Sequence, residues 1–177
     1  HWRRRTGHLG RSVVLCGNLA YRPNADAARR LVGSVMPLVW RDRPDAEALI
    51  IGPGASPALR AELDRPRVHL TGRVDDVRPH LEQGAVAAAP LRVATGIQNK
   101  LLEALALELP VVTTSVGAAG LGTGAPVVVA DDPAAAARHL VALLDAAGTG
   151  DAPPATAGRA WVAEHFSWDH SARLLAD

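Results

Sequence analysis

Ala85-Val86-Ala87-Ala88-Ala89-Pro90 is a continuously apolar run closed by proline; after it come Gly96-Ile97-Gln98-Asn99-Lys100-Leu101-Leu102-Glu103-Ala104-Leu105-Ala106-Leu107 and then Pro110-Val111-Val112-Thr113-Thr114. The first and last pieces have strand length and no alternation, as strands covered on both faces of a parallel sheet require. The middle piece is helical in spacing. With a start near Gly96, residues Ile97, Leu101, Leu102 and Leu105 form one apolar arc, and Gly96, Lys100 and Glu103 form the opposite stripe. Strand, helix, strand in this order is one right-handed parallel crossover.

The same alternation runs outward in both directions. Apolar runs bounded by Gly or Pro at 13–16, 48–51, 68–71 and 127–130 join 85–89 and 111–114 to give six strands. The first helix is expected to open at Asn24, an N-cap after Pro23, and to pass through Ala27, Leu31 and Val35 towards Trp40. Shorter helices fit 57–63, 76–82 and 96–107, and another opens on Asp132-Pro133, a cap followed by proline, and continues through His139, Leu140 and Leu143. The expected fold is α/β: a Rossmann-like, doubly wound, mostly parallel six-stranded sheet with helices on both faces and further helices at the C-terminus. Residues 148–154 read as a linker, and 157–176 as two terminal helices around Phe166-Ser167-Trp168, with Ser167 capping the last and Trp161 and Trp168 packing it onto the sheet.

At 177 residues the chain is long enough to bury a real core, and a net charge of +1 does not suggest a nucleic-acid or polyanion binder. Lys100 is the only lysine beside eighteen arginines. A single cysteine, Cys16, permits no disulfide within the chain; it suits a reducing compartment, and inside an apolar run it reads as core. Arg3-Arg4-Arg5 precedes an apolar run of only four residues, too short for a signal peptide, and no window approaches the ~18 apolar residues of a membrane span. A first residue of His suggests a segment cut from something longer.

Ligands of open α/β sheets bind beyond the carboxyl ends of the strands, so the loops there carry the chemistry. Gly17-Asn18-Leu19 after the first strand lacks a G-x-G-x-x-G fingerprint, and in Gly52-Pro53-Gly54 the third glycine is replaced by Pro57, which disfavours a dinucleotide oxidoreductase. There is no P-loop, no nucleophile elbow, no zinc spacing and no Asp-x-Asp triplet. Asp75-Asp76 reads as a helix cap rather than a metal pair. What remains is the stripe of Gly96, Lys100 and Glu103. A helix start presents free N–H groups and a positive dipole end, Gly96 admits an anion, and Lys100 adds a full charge, which describes a diphosphate site. Glu103, about 10 Å along the axis from Gly96, reaches a ribose whose hydroxyls a carboxylate accepts. On spacing alone, an i,i+3 surface ion pair is an equally open reading.

Gly17-Asn18, Tyr21-Arg22-Pro23-Asn24-Ala25-Asp26-Ala27, Gly72-Arg73-Val74-Asp75-Asp76-Val77, Gly96 to Ala104 and Pro110-Val111-Val112-Thr113-Thr114, in that order, resemble the carboxyl-terminal domain of family 4 (group 1) glycosyltransferases, most of all the exopolysaccharide-associated sugar transferases. The resemblance implies one half of a GT-B enzyme: residues 1–10 linking to a missing N-terminal acceptor domain, 11–150 binding a nucleotide sugar of UDP or GDP type, and 151–177 packing helices on the same unit. It implies retaining transfer to a polysaccharide, lipid-linked or small-molecule acceptor without a metal or other cofactor, in a cytoplasmic protein peripheral to the inner membrane face through the missing domain. The isolated half is expected to transfer little sugar. Carried over by position, Glu103 matches the second glutamate of the family's paired-glutamate motif and binds the ribose. The backbone of Thr95, Gly96 and Ile97, with Lys100, holds the phosphates; Arg73 and Val74 lie along the base; Gly17 and Asn18 face the diphosphate. Lys100 and Glu103 are the residues expected to carry catalysis. The first motif glutamate is replaced by Thr95, so a non-catalytic nucleotide-sugar-binding module is the alternative; the early Arg and Lys pair of many members is not evident unless Arg92 and Lys100 substitute for it.

Overall fold

A computed structural model describes residues 11–149 and 156–166. Its centre is a six-stranded sheet in the order β3-β2-β1-β4-β5-β6, with every ladder parallel. The strands are β1 (Ser12–Cys16), β2 (Glu47–Ile51), β3 (Val68–Leu70), β4 (Gly84–Ala89), β5 (Val111–Thr113) and β6 (Val128–Val129). All six expected strands are present, and the central ones are buried along most or all of their length. The order runs outward in one direction from β1 and in the other from β4, so the chain reverses its winding between them. Crevices open at that reversal, past the carboxyl ends of the strands.

Helices cover both faces. Strand β4 is covered on both sides: Ala88 borders one small hollow with Leu31, Val35, Ala136 and Leu140, and Ala87, Ala88 and Ala89 border another with Leu81 and Leu101. The helices are α1 (Arg22–Arg30), α2 (Met36–Asp42), α3 (Pro57–Leu63), α4 (Arg78–Leu81), α5 (Asn99–Ala106), α6 (Ser115–Ala118), α7 (Pro133–Thr149) and α8 (Thr156–His165). Between α1 and α2, residues Leu31–Val35 form a π-helical turn in which the Met36 N–H donates to the Leu31 carbonyl. Pro37 explains the widening: it has no N–H for the Gly33 carbonyl, and its ring crowds that oxygen.

Several boundaries differ from expectation, each for a local reason. Asn24 is not the first N-cap; Tyr21 is, Pro23 sits in the first turn, and Asn24 is buried. Helix α5 begins at Asn99 rather than Gly96, because Gly96 adopts φ +62 and the Gln98 side chain donates to the Thr95 and Gly96 carbonyls, which holds those residues out of the helix. Ile97 is therefore 50% exposed instead of joining the arc of Leu101 and Leu105. Helix α4 is a single turn, and Asp76 Oδ1 accepts from the Arg78 N–H at its start. Asp132 caps α7 as expected, its Oδ1 accepting from the N–H groups of Ala134 and Ala135. Helix α8 packs on α5, where a Cβ at Gly158 would lie 2.9 Å from Leu105 Cδ2, and Trp161 stacks on His165. Ser167, Trp168 and the second terminal helix lie outside the described residues, as does most of the linker 148–154.

Candidate functional site

A cavity of about 320 Å³ lies where the winding reverses. Four pieces of chain wall it: Cys16, Gly17 and Asn18 at the end of β1; Gly52 and Pro53 at the end of β2; Val74 and Val77 in the loop after β3; and Asn99, Lys100 and Glu103 on the first turn and a half of α5.

The two strand-end turns are locked together. The Gly17 N–H donates to the Ile51 carbonyl (2.9 Å) and the Leu19 N–H to the Pro53 carbonyl (2.7 Å). A Cβ at Gly52 would lie 2.2 Å from the Gly17 carbonyl oxygen, so only glycine lets these turns meet. Asn18 Oδ1 accepts from the Ala20 N–H (3.0 Å), closing the turn on itself. The result is a fixed floor.

Helix α5 supplies the charged side. As its first residues, Asn99 and Lys100 have N–H groups with no intrahelical carbonyl to reach. Lys100 Nζ donates to Asn24 Oδ1 (2.7 Å) and to Gln98 Oε1 (3.3 Å), both neutral amide oxygens. No ion pair joins Lys100 to Glu103 among the described residues, so the surface-pair reading of this spacing is replaced by two charged groups that each face the cavity. The Glu103 carboxylate likewise accepts no hydrogen bond from the described residues.

Partial burial disfavours both charges. It lowers the Lys100 pKa, opposed by Cys16 and Glu103, and raises that of Glu103, opposed by Lys100. Cys16 is not sealed in the core as its strand position suggested; it lines the cavity, and burial first, then the Glu103 charge, pushes its thiol up to about 11. At neutral pH it is a thiol wall, not a nucleophile.

Of the residues singled out by sequence, Gly17, Asn18, Val74, Lys100 and Glu103 come together at the cavity. Arg73 is exposed beside it, and Thr95, Gly96 and Ile97 lie in the exposed loop before α5, outside the lining. That loop is anchored from outside: Arg92 Nε donates to Asp26 (2.8 Å), and a Cβ at Gly120 would lie 2.2 Å from the Gly96 carbonyl oxygen. Cys16, Gly52, Pro53, Val77 and Asn99 were not anticipated, although the strand-end position of Gly52-Pro53 was a signal. Among the described residues, no group of three or more His, Cys, Asp or Glu is placed to hold a metal, and no helix is long and apolar enough to cross a membrane. A second hollow of about 340 Å³ lies by α3 and β3, at the edge of the sheet and away from the reversal.

Residues 10–146 match the sequence model of the family described as Glycosyl transferases group 1. The chain belongs to that family. A Klebsiella pneumoniae protein, described as an uncharacterized 44.6 kDa protein in the cps region, is 28% identical over 141 residues, covering 73% of this chain and 36% of its own. A mutant of TarM from S. aureus, solved with Fondaparinux, alpha-GlcNAc-glycerol and UDP, superposes with a TM-score of 0.81 at 14% identity over 99% of this chain and 37% of that one. HepE of Anabaena, solved with UDP and glucose, gives 0.71 at 14% over 95% and 48%. The C-terminal domain of the group 1 transferase LpcC from Francisella tularensis gives 0.60 at 14% over 89% and 86%. At these identities the structural likeness is one of fold, the α/β Rossmann-like fold of GT-B glycosyltransferases. This group 1 chain spans about a third of the length of the Klebsiella relative and of TarM.

Proposed function

We propose that this group 1 glycosyl transferase chain is the donor-binding half of a retaining enzyme that takes a sugar from a nucleoside diphosphate. Residues 11–150 would form the donor unit, 151–177 would pack on it, and 1–10 would lead from an N-terminal acceptor domain. The observation that carries the reading is the pair of unneutralised charges, Lys100 and Glu103, facing one cavity beside the Gly17-Asn18 turn. In transfer the anomeric C–O bond to the diphosphate breaks and negative charge grows on the leaving oxygens. Lys100, with the N–H groups that head α5, is arranged to stabilise that charge without reorganisation. Glu103 accepts the ribose hydroxyls, and Val74, Val77 and Pro53 offer apolar surface to the base. No step is assigned to a metal or other cofactor.

The UDP named with TarM and HepE supports a uridine donor, and the cps region of the Klebsiella relative supports a polysaccharide acceptor. Thr95 in place of the first motif glutamate favours a second reading, a binding module without transfer. Calorimetric titration of the chain with UDP, GDP and ADP, alongside Lys100→Ala and Glu103→Ala, tests the site. Selective binding of one diphosphate, weakened at least tenfold in both variants, is expected; equal affinity in wild type and variants would overturn it. Sugar transfer by the full-length enzyme that survives Glu103→Ala would favour the module.

A further inference from the structure

We infer that Asn24 is a positioning residue: it fixes the Lys100 ammonium over the cavity with a neutral acceptor and ties it to the Gly17-Asn18 turn, so that the cation faces an incoming diphosphate with its charge unspent. This rests on the proposed donor site but is separable from it.

Asn24 is 8% exposed, in the first turn of α1, and is one of few buried polar side chains among the described residues. Its two amide atoms have different partners. Nδ2 donates to the Asn18 carbonyl (2.9 Å), and Oδ1 accepts from Lys100 Nζ (2.7 Å). A carbonyl can only accept and an ammonium can only donate, so these neighbours settle which way the amide points. Asparagine suits both needs in so short a side chain. Aspartate offers no donor to Asn18, and leucine offers neither group.

The bridge also explains Gly17. A Cβ there would lie 2.8 Å from Asn24 Nδ2 and 2.9 Å from its Cγ, so the turn and the amide occupy each other's only room. The β1 turn and α1, neighbours in sequence, are thus joined to the remote α5 at one side chain. A carboxylate in its place would hold Lys100 equally well but neutralise it, and an anion would then meet an ion pair instead of a free cation. The other charged or titratable groups near the ammonium are Cys16 from β1 and Glu103 from α5; Gln98, its second acceptor, is neutral.

Lys100 is the only lysine, so lysine labelled with ¹³C at Cε reports on this one ammonium without assignment work. In the wild-type chain, two distinct Hε resonances are expected, the mark of restricted rotation; a single averaged pair typical of a solvated lysine would overturn the inference. Asn24→Asp should raise the Lys100 titration midpoint by at least one pH unit and weaken UDP affinity at least tenfold, whereas Asn24→Leu should lower the midpoint. A merely structural Asn24 would lower thermal stability in both variants without moving the midpoint in opposite directions, and that result also overturns the inference. If neither variant folds, the wild-type rotation measurement decides alone. Restricted Hε resonances that do not respond to UDP would support the positioning role and count against the donor-site reading; a UDP response in a freely rotating lysine would do the reverse.

Discussion

Glu103 carries a partly buried carboxyl with no donor from the described residues, and that arrangement costs the ligand-free chain stability. Burial raises its pKa, so the folded state binds the proton more tightly than the unfolded one. Its contribution is present below its ordinary value of 4.5 and is lost as pH rises through the raised folded value. Glu103→Gln should therefore gain about 0.5–1 kcal/mol of stability over wild type at neutral pH, with the gap closing under acid, while losing UDP affinity. Urea denaturation at several pH values reads this; a variant less stable than wild type at pH 7 would contradict it. Cys16 offers a second test at the same scale. A thiol near 11 instead of 9.0 carries about a hundredfold less thiolate at neutral pH, so iodoacetamide should label it about two orders of magnitude more slowly than a free cysteine, and more slowly again with UDP bound. Labelling at the rate of an exposed thiol would show that the wall is open.

At the level of elements, turns and caps hold the site in register. Gly52 must stay glycine because β1 and β2 bring their ends into backbone contact; Gly52→Ala should cost about 1–3 kcal/mol and weaken nucleotide binding together with stability. Asp132→Ala removes the two-bond cap of α7 and should cost about 1 kcal/mol while leaving nucleotide affinity unchanged, since α7 supplies no cavity residue. Calorimetric melting with and without UDP separates the two effects; an Asp132→Ala chain that lost affinity would show coupling that the fold does not predict. Elements were also the level at which sequence was most readable. Continuous apolar runs such as Ala85-Val86-Ala87-Ala88-Ala89 belong to two-sided burial, and all six strands follow from them. Helix starts were harder. Ile97 continues the apolar spacing of Leu101 and Leu105, yet Gly96 and the Gln98 side chain divert the backbone before Asn99. Asn24 after Pro23 has the local signature of a cap, but its side chain bridges the Asn18 carbonyl and Lys100, the latter 76 residues away, and no local pattern records a contact of that range.

For the whole molecule, the parallel sheet and its reversal place one charged cavity beside a rigid floor, with the Arg43 guanidinium bridging Asp45 and Asp145 to tie α7 to the end of α2. Ligand and fold are then linked: UDP at a hundred times its Kd should stabilise the chain by about 2.7 kcal/mol. The site itself was half legible. Lys100 and Glu103 are legible from helical spacing and residue type, and Gly17, Asn18 and Val74 from the family resemblance, whereas Cys16 and Val77 are ordinary apolar residues that matter only because the topology brings them to one hollow. The proposed function requires a nucleoside diphosphate to bind in this hollow. Mapping backbone amide shifts on titration with UDP tests it most directly. Perturbations are expected to concentrate at 16–18, 52, 74–77 and 98–103; shifts centred on the hollow by α3 and β3, or none at millimolar UDP, would contradict this.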